Sequence, residues 1–426
     1  MNRKNFLKTS SLLAATSLLP FSETMASVGQ LRVGLIGANG MGWSNLNALL
    51  QNEHVRCTAL CDVDTNVLTK RRDELSDKGI TVQTFVDYND MLAKDLVDIV
   101  IIGTPDHWHC LQLFDALHAG KHVYVEKPIG NSVEECERMI QVVQQSQGIV
   151  QVGQWQRSQQ HFRDAINFVH AGHLGKIRTV KAWSYVDWKA PIPQKQDAPV
   201  PVGVYYDKWL GPAPKRPFNP NRFHFEFRWF WDYAGGLMTD WGVHMLDYAL
   251  LGMQVADPVS VMATGGKFAA PDGGSETPDT LTVAYGFEDF SIIWEHTIGL
   301  SHGPYGRDHG VAFIGENGTL VLNRRGWEVL PEKGRMEAVP LQKPQENGLL
   351  THMNNFVEAI LRKDASILNA PIQVGGDIAI FSQLGNIAYR HGEKLYWDKS
   401  KRQFTDEKAN RYLKAHYHNG YKLPTV

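Results

Sequence analysis

Cysteine is scarce: the 426 residues hold four, and no two form a Cys-x-x-Cys pair. That excludes a disulfide framework for a chain of this length and a zinc site built on thiolates. Charge of one sign is lacking too. Lys plus Arg number 43 against 45 Asp plus Glu, a formal net charge of −2, so no nucleic-acid footprint or acidic tail is present. No run beyond residue 21 is long and apolar enough for a transmembrane helix, so the mature chain is expected to have no membrane span. Internal repeats and low-complexity tracts are absent as well. What is left is an ordinary globular composition, 43% hydrophobic and 21% charged. The length exceeds what one core usually supports, so two domains are expected. Twelve tryptophans are more than average usage gives. Most are read as core side chains, with sugar stacking as the alternative for some.

The first 26 residues are expected to be a signal peptide. Arg3, Lys4 and Lys8 form a basic start, Ser11 to Phe21 is mostly apolar, and small residues surround Ala26. Asn2-Arg3-Lys4-Asn5-Phe6-Leu7-Lys8 is similar to a twin-arginine signal with lysine in place of the second arginine. The expectation is an exported, periplasmic protein.

From Leu31 to Gln154 short apolar runs alternate with helical segments: Leu31–Gly37, Val55–Asp62, Val97–Thr104, His122–Lys127 and Ile149–Gly153. Near-continuous apolar strands between helices imply a doubly wound parallel sheet covered on both faces, an α/β Rossmann domain over residues 31–154. Cys57 and Cys61, four apart on one strand, are expected to face the same way. Ser132 and Glu135 form a capping box that starts the next helix. Residues 155–426 read as a second, α+β domain with a mostly antiparallel open sheet. Its strands are Val180–Val186, Val259–Thr264, Thr280–Phe287, Ser291–His296, Gly310–Gly315 and Thr319–Asn323. Glu288-Asp289 and Asn317-Gly318 mark hairpins, the second through the positive φ that Asn-Gly supplies. Helices near 160–171, 236–252, 352–363 and 374–391 are expected to cover one face of that sheet. The proline-rich stretch 187–221 is read as a long functional loop.

The chemistry is carried by separated motifs. Gly37-Ala-Asn-Gly-Met-Gly42 follows the first strand. Gly37 permits the tight turn, Gly42 lets the helix approach the sheet, and the helix N-terminal amides suit a pyrophosphate. The usual middle glycine is Asn39, followed by Gly40, and asparagine tolerates a left-handed backbone. Asp62, twenty residues beyond Gly42, ends the second strand, where a carboxylate binds a ribose diol and repels a 2′-phosphate, favouring NAD over NADP. The alternative for Asp62 is a plain turn aspartate. Thr104-Pro105-Asp106-His107-Trp108-His109 sits at the carboxyl end of a strand and is expected to line the nicotinamide side, unless His107 and His109 only cap the next helix.

Glu126-Lys127-Pro128 ends another strand, aiming the Lys127 ammonium into the same cleft, where it suits a substrate hydroxyl. Strand neighbours point to opposite faces, which disfavours a simple Glu126–Lys127 surface pair. Asp240 and His244 lie four apart on a predicted helix and so share a face, fit for accepting a hydroxyl proton. A helix-surface ion pair is the bland alternative. Asp247 one turn on raises an Asp/His/Asp metal site, ranked lower because hydride transfer to a nicotinamide needs no metal. Phe223, Phe225, Phe227, Trp229, Trp231 and Tyr233 alternate with other residues and predict an extended segment with an aromatic face.

The glycine turn, Thr104-Pro105 with His109, Glu126-Lys127-Pro128, Gln156-Arg157 and Asp240-x-x-x-His244 together resemble the glucose-fructose oxidoreductase/inositol dehydrogenase (Gfo/Idh/MocA) family across the whole mature chain. The resemblance implies an NAD-binding Rossmann domain and a second domain whose open sheet mediates homo-oligomers. Carried over by motif, Lys127 and His244 are the acid/base pair and Asp240 the partner of His244. The cofactor set is Gly37, Asn39, Gly40, Met41, Gly42, Asp62, Thr104, Pro105, His109, Glu126 and Lys127. No metal is implied. Substrates in the family are mainly sugars, polyols and their derivatives. Leu210-Gly-Pro-Ala-Pro and Pro217-Phe-Asn-Pro-Asn-Arg-Phe-His224 resemble exported bacterial members. The periplasm has no free NAD pool, so an exported member is expected to hold its cofactor tightly. The function implied is an NAD(H)-dependent oxidoreductase acting on a secondary hydroxyl of a sugar, polyol or glycoside. A redox-neutral, NAD-dependent glycoside-cleaving enzyme and a non-catalytic binding protein on the same fold are the alternatives.

Overall fold

The computed structural model describes residues 29–426. The signal-peptide reading falls on residues outside that range.

The first sheet is six-stranded and wholly parallel, in the order β3-β2-β1-β4-β5-β6. Its strands are β1 (Leu31–Ile36), β2 (Val55–Cys61), β3 (Gln83–Phe85), β4 (Ile99–Ile102), β5 (His122–Val125) and β6 (Val150–Val152). The apolar runs mark five of these. β3 escapes because its three residues, Gln-Thr-Phe, carry no apolar run. The order reverses beside β1, so the carboxyl ends of β1 and β4 open a crevice at the switch point where such sheets bind ligands.

Cys57 and Cys61 do not face the same way. Pairing steps from Val33–Cys57 to Gly34–Ala59, leaving Thr58 as a bulge whose hydroxyl donates to the Val33 and Leu96 carbonyls at 3.3 and 2.7 Å. One extra residue inverts strand parity. Cys57 therefore packs with Val33 and Leu35, and Cys61 with Ile36 and Ala59 in the other cluster. The capping box at Ser132 forms, with the Glu135 amide donating to Ser132 Oγ at 3.2 Å. The Glu135 carboxylate reaches one residue further back than expected, to the Asn131 amide at 2.9 Å.

The second sheet has ten strands in the order β14-β13-β12-β11-β7-β10-β9-β8-β15-β16. They are β7 (Ile177–Val186), β8 (Ser260–Gly266), β9 (Thr280–Gly286), β10 (Ser291–Ile298), β11 (His309–Gly315), β12 (Gly318–Asn323), β13 (Gly326–Pro331), β14 (Val339–Gln342), β15 (Leu395–Asp398) and β16 (Gln403–Phe404). Only β7 and β10 pair in parallel. The β11–β12 hairpin is present, but neither Asn317 nor Gly318 has positive φ. The Asn317 amide instead donates to the Leu174 carbonyl at 2.9 Å, so a neighbouring segment fixes the turn.

Helices Gln160–His170, Gly242–Met253 and Ile372–His391 cover one face of this sheet. The fourth expected helix, Gly348–Arg362, instead packs on the first sheet. Met353, Phe356, Val357 and Ile360 are buried there against Val33, Leu35 and Ile99. At about 1.5–3 kcal/mol per fully buried large side chain, that face alone holds the helix to the parallel sheet. The chain after residue 155 thus returns to complete the first domain's core. Among the described residues no helix is long and apolar enough to cross a membrane.

The proline-rich loop is ordered across the cleft between the two sheets. The Thr65 amide and hydroxyl both reach the Gly203 carbonyl, at 2.9 and 3.0 Å, and the Tyr205 amide donates to the Val63 carbonyl at 2.9 Å. A short helix follows, Tyr206–Leu210, and its Lys208 pairs with Asp87 on the first domain. This strap lies directly beyond Asp62.

Candidate functional site

The glycine turn is built for close backbone approach. Gly37 has φ +83°, and a Cβ there would lie 2.7 Å from the Gly103 backbone; a Cβ on Gly42 would lie 2.1 Å from the Gly37 carbonyl oxygen. Asn39 is not left-handed: its φ of −114° and ψ of 172° are extended, and Gly40, at φ +49°, takes the turn instead. The helix Gly40–Leu49 begins here with no side-chain cap, leaving its first amides free for an anion. Asp62 Oδ2 accepts from the Ala38 amide at 2.8 Å and Oδ1 from the Asp64 amide at 3.0 Å. Burial raises its carboxyl, and those two amides oppose the rise.

One cavity of about 420 Å³ runs from this turn to Lys127. Gly37, Asn39, Gly40, Met41, Asp62, Thr104, Pro105, Glu126, Lys127 and Asp240 all line it. Gly42 lies behind the turn. His107 and His109 do not line the cleft, nor do they simply cap a helix. Both are buried, His107 Nε2 against the Trp209 carbonyl at 3.1 Å, and His109 between the Pro128 and Thr104 carbonyls at 2.8 and 2.9 Å. Burial holds both rings down to about 4. With a single N–H when neutral, the His109 ring donates to one of these two carbonyls, packed against the segment that carries Lys127. From the same motif it is Asp106 and Trp108 that reach the cavity wall.

Lys127 Nζ donates to Asp240 Oδ1 at 2.6 Å and to the Asp240 carbonyl at 2.9 Å. Arg228 Nε donates to the other carboxylate oxygen at 3.2 Å. Burial alone would raise the Asp240 carboxyl, but the Lys127 and Arg228 charges outweigh it and hold the carboxyl far below its ordinary range. Glu126, which also lines the cavity, accepts from Asn45 Nδ2 at 2.8 Å. Burial raises its carboxyl, with the Lys127 charge opposing. Burial raises the Asp106 carboxyl well above its ordinary value, with the Lys127 and Arg228 charges opposing.

No hydrogen bond joins Asp240 to His244. The expected single helix is interrupted at Trp241, giving Gly236–Asp240 and Gly242–Met253. A carboxylate with two cations in reach pairs with them rather than with an imidazole that burial, Lys127 and Arg324 keep neutral. His244 Nδ1 is buried with no partner among the described residues. Asp247 does not join a metal site, since Arg157 holds both its oxygens at 2.8 and 2.7 Å. The aromatic segment is not extended either. His224–Trp229 is a 3₁₀ turn, because Glu226 and Arg228 are drawn inward, to Lys189 at 2.6 Å and to Asp240. Its His224 reaches across to Asp64 at 2.9 Å, and Phe225 and Phe227 line the cavity.

Arg228 and Asn45 carry no site motif in the sequence, and Asp106 enters it only as one member of the 104–109 motif. Arg228 sits in the alternating aromatic run, where its sole signal is a charge among rings. Asp106 occupies the first helical turn after a strand, a place that reads equally well as a cap.

Comparison with known proteins bears on the family and the fold. Residues 31–154 match a model described as oxidoreductase family, NAD-binding Rossmann fold, and residues 160–423 one described as oxidoreductase family, C-terminal alpha/beta domain. A glycosyl hydrolase family 109 protein of Shewanella pealeana is 30% identical over 172 residues, 34% of this chain and 38% of that protein. Another, of Shewanella woodyi, is 34% identical over 122 residues, 28% of this chain and 26% of that protein. The chain thus spans well under half the length of these curated relatives. Among solved structures, an aldose-aldose oxidoreductase of Caulobacter crescentus, in complex with glycerol, superposes with a TM-score of 0.64 at 21% identity, covering 86% of this chain and 99% of that one. A scyllo-inositol dehydrogenase of Lactobacillus casei, solved with NAD(H) and scyllo-inositol, does so at 0.63 and 21%, with the same coverage. These two are likenesses of fold. With the two domain models matching residues 31–154 and 160–423, the chain belongs to the Gfo/Idh/MocA oxidoreductase family.

Proposed function

We propose that the protein is an NAD(H)-dependent oxidoreductase acting on a secondary hydroxyl of a sugar, polyol or glycoside. The observation that carries this reading is the single cavity joining the glycine turn and Asp62 to the Lys127–Asp240 pair. The residues fit a dinucleotide: the close backbone approach at Gly37 and Gly42, uncapped helix amides, and a carboxylate two amides away from saturation. NAD, when bound, supplies the hydride acceptor.

The chain's own groups do the rest. Lys127 uses two of its three N–H donors on Asp240, leaving one for a substrate hydroxyl oxygen as it gains alkoxide character. Asp240 and Arg228 fix the direction in which that ammonium points. His244, neutral and with Nδ1 unpartnered, is able to take up the hydroxyl proton. In this reading Lys127 touches the reacting atoms, Asp240 positions Lys127, and His244, which is outside the cavity lining, receives the proton. Lys127→Ala is expected to abolish turnover while nucleotide binding survives; unchanged turnover sinks the assignment.

The glycosyl hydrolase relatives favour a second reading, in which the oxidation is reversed within one cycle. Conversion of a ring hydroxyl to a ketone acidifies the neighbouring C–H, the aglycone leaves, water adds, and the ketone is reduced again. The net change is hydrolysis. Export, which the basic start and apolar segment of residues 1–26 support, would require the cofactor to be retained, and the strap over Asp62 suits retention. Cell fractionation tests the location. Denaturing the purified protein and identifying released nucleotide tests retention. Aryl glycosides then separate the two reactions: aglycone without net NADH marks the hydrolase, and NADH formed one for one with oxidised sugar marks the dehydrogenase.

A further inference from the structure

Buried guanidiniums in this protein come with carboxylates. Arg157 has Asp247, Arg228 has Asp240, Arg216 has Asp232 and Glu276, and Arg307 has Glu328. Arg324, on the turn that follows β12, does not. No carboxylate lies within ion-pairing distance of it among the described residues. Neighbouring Asp308 is taken by His309 Nδ1 and Arg325, at 3.1 and 3.2 Å. The Arg324 guanidinium carbon lies over two tryptophans, 4.8 Å from the centre of the Trp155 ring and 4.7 Å from that of the Trp241 ring. Its Nη2 donates to Gln156 Oε1 at 3.2 Å, its Nε is buried without a partner, and its Nη1 is neither enclosed nor hydrogen-bonded among the described residues. Burial lowers its pKa to about 10, which still leaves it charged at neutral pH.

Its surroundings tie it to the Lys127 site. Trp241 separates Asp240 from His244 in sequence and packs on the His244 ring at 5.9 Å and the His309 ring at 4.8 Å. The Arg324 charge is close enough to depress the His244 imidazole, and Asp240 is close enough to oppose the loss of charge on Arg324. Lys127 and Arg228 both pair with Asp240, which leaves Arg324 as a third cation near this site without an ion pair of its own among the described residues. His244 Nδ1, His309 Nε2 and Gln156 Nε2 are buried here without partners. Unmatched buried polar groups and an unpaired guanidinium are expensive unless a ligand completes them. A planar guanidinium fork held against aromatic rings is pre-organised for two oxygens of one anion.

We infer that the carbohydrate taken by this site carries an anionic substituent, a carboxylate or a sulfate, held by Arg324 on the side of Trp241 away from Lys127. The inference rests on the carbohydrate reading of the site and names its substrate class. Sugar hydroxyls would meet His244, His309 and Gln156, while the anion sets which end of the ring lies over Lys127.

The test uses the holoprotein at low ionic strength and reads tryptophan fluorescence, which the Trp155–Arg324–Trp241 stack makes sensitive to occupancy. D-glucuronate, D-galacturonate and D-glucose 6-sulfate are titrated beside D-glucose and D-galactose. At least one anion is expected to bind ten-fold or more tighter than its neutral counterpart, with the ratio shrinking as salt rises. Whether uronate or sulfate leads identifies the anion. R324Q is expected to collapse the ratio toward one, and R324K to restore part of it. A ratio near one in the wild type, or a ratio that survives R324Q, overturns the proposal. Should R324Q not fold, the wild-type ratio and its salt dependence decide. Oxidation or cleavage of neutral sugars without anion preference leaves the oxidoreductase reading standing and this one fallen. Tight anion binding with neither reaction does the reverse.

Discussion

Asp240 is the keystone of the charge arrangement, and its removal should hurt more than removal of Lys127. At an effective dielectric constant of about 20, the 2.6 Å contact to Lys127 corresponds to about 6 kcal/mol of gross attraction, and the 3.2 Å contact to Arg228 to about 5 kcal/mol. Desolvation offsets most of both. What survives in a mutant is the difference between the pairs left standing. Lys127→Met deletes one cation, keeps most of the stem volume, and leaves Asp240 paired to Arg228. Asp240→Asn leaves two cations facing an amide in a site where the lysine and aspartate side chains are only 9% and 15% exposed. Orphaning a buried charge costs about 3–5 kcal/mol. Asp240→Asn should therefore fall at or above the upper end of that range, and Lys127→Met at or below the lower end. The double variant should be less destabilised than the sum by about 2 kcal/mol, because the lysine that Asp240→Asn strands is no longer there.

Urea unfolding followed by tryptophan fluorescence, at fixed nucleotide, measures this cycle. Both single variants are expected to lose turnover, so only stability separates them. Additivity within about 0.5 kcal/mol, the range seen for independent sites, would refute a direct Lys127–Asp240 pair. A larger loss for Lys127→Met than for Asp240→Asn would refute the role given to Arg228.

Three further outcomes are expected. Gly42→Ala would put a methyl 2.1 Å from the Gly37 carbonyl, backbone against backbone; about 1–3 kcal/mol of overpacking and loss of co-purified nucleotide should follow, and retained nucleotide content would contradict the turn's role. Asp87→Asn should speed nucleotide release, read by rapid dilution into excess competitor. Because Lys208 is 45% exposed, the pair is discounted to about 1 kcal/mol at most, so the change should not exceed about five-fold, and no change would separate the strap from retention. His107, His296 and His352 are held by burial at about 4, against an unfolded value of about 6.5. A depressed folded value means their stabilising effect is complete above pH 6.5 and is lost as pH falls toward 4, at about 1.4 kcal/mol per pH unit for each. Urea midpoints at pH 7.5, 6.5 and 5.5 should show His352→Asn with a shallower slope by that amount; parallel slopes would mean that His352 is not buried neutral.

The sequence disclosed what depends on local pattern. Apolar runs gave five of the six parallel strands, and the motif spacing brought Lys127, Asp240 and the glycine turn to one cavity. What it hid depends on partners far along the chain. Thr58 reads as one more strand residue until its hydroxyl is seen to bind the Leu96 carbonyl, and that bulge turns Cys61 to the other face. The 348–362 helix has an apolar stripe that suits either sheet, and nothing in its period says which one it will cover. Asp240 and His244 show the limit most plainly. Spacing of four places two side chains on one helix face but does not make them pair; at Trp241, still helical in its dihedrals, the ladder slips and the His244 amide bonds the Trp241 carbonyl. The competition that decides the matter is electrostatic. Two cations lie within 3.2 Å of the carboxylate, whereas the imidazole is held neutral by its surroundings. Trp241, next to Asp240 in sequence, packs on the His244 ring and lies under the unpaired Arg324 guanidinium, so the residue at that slip also links the candidate site to Arg324.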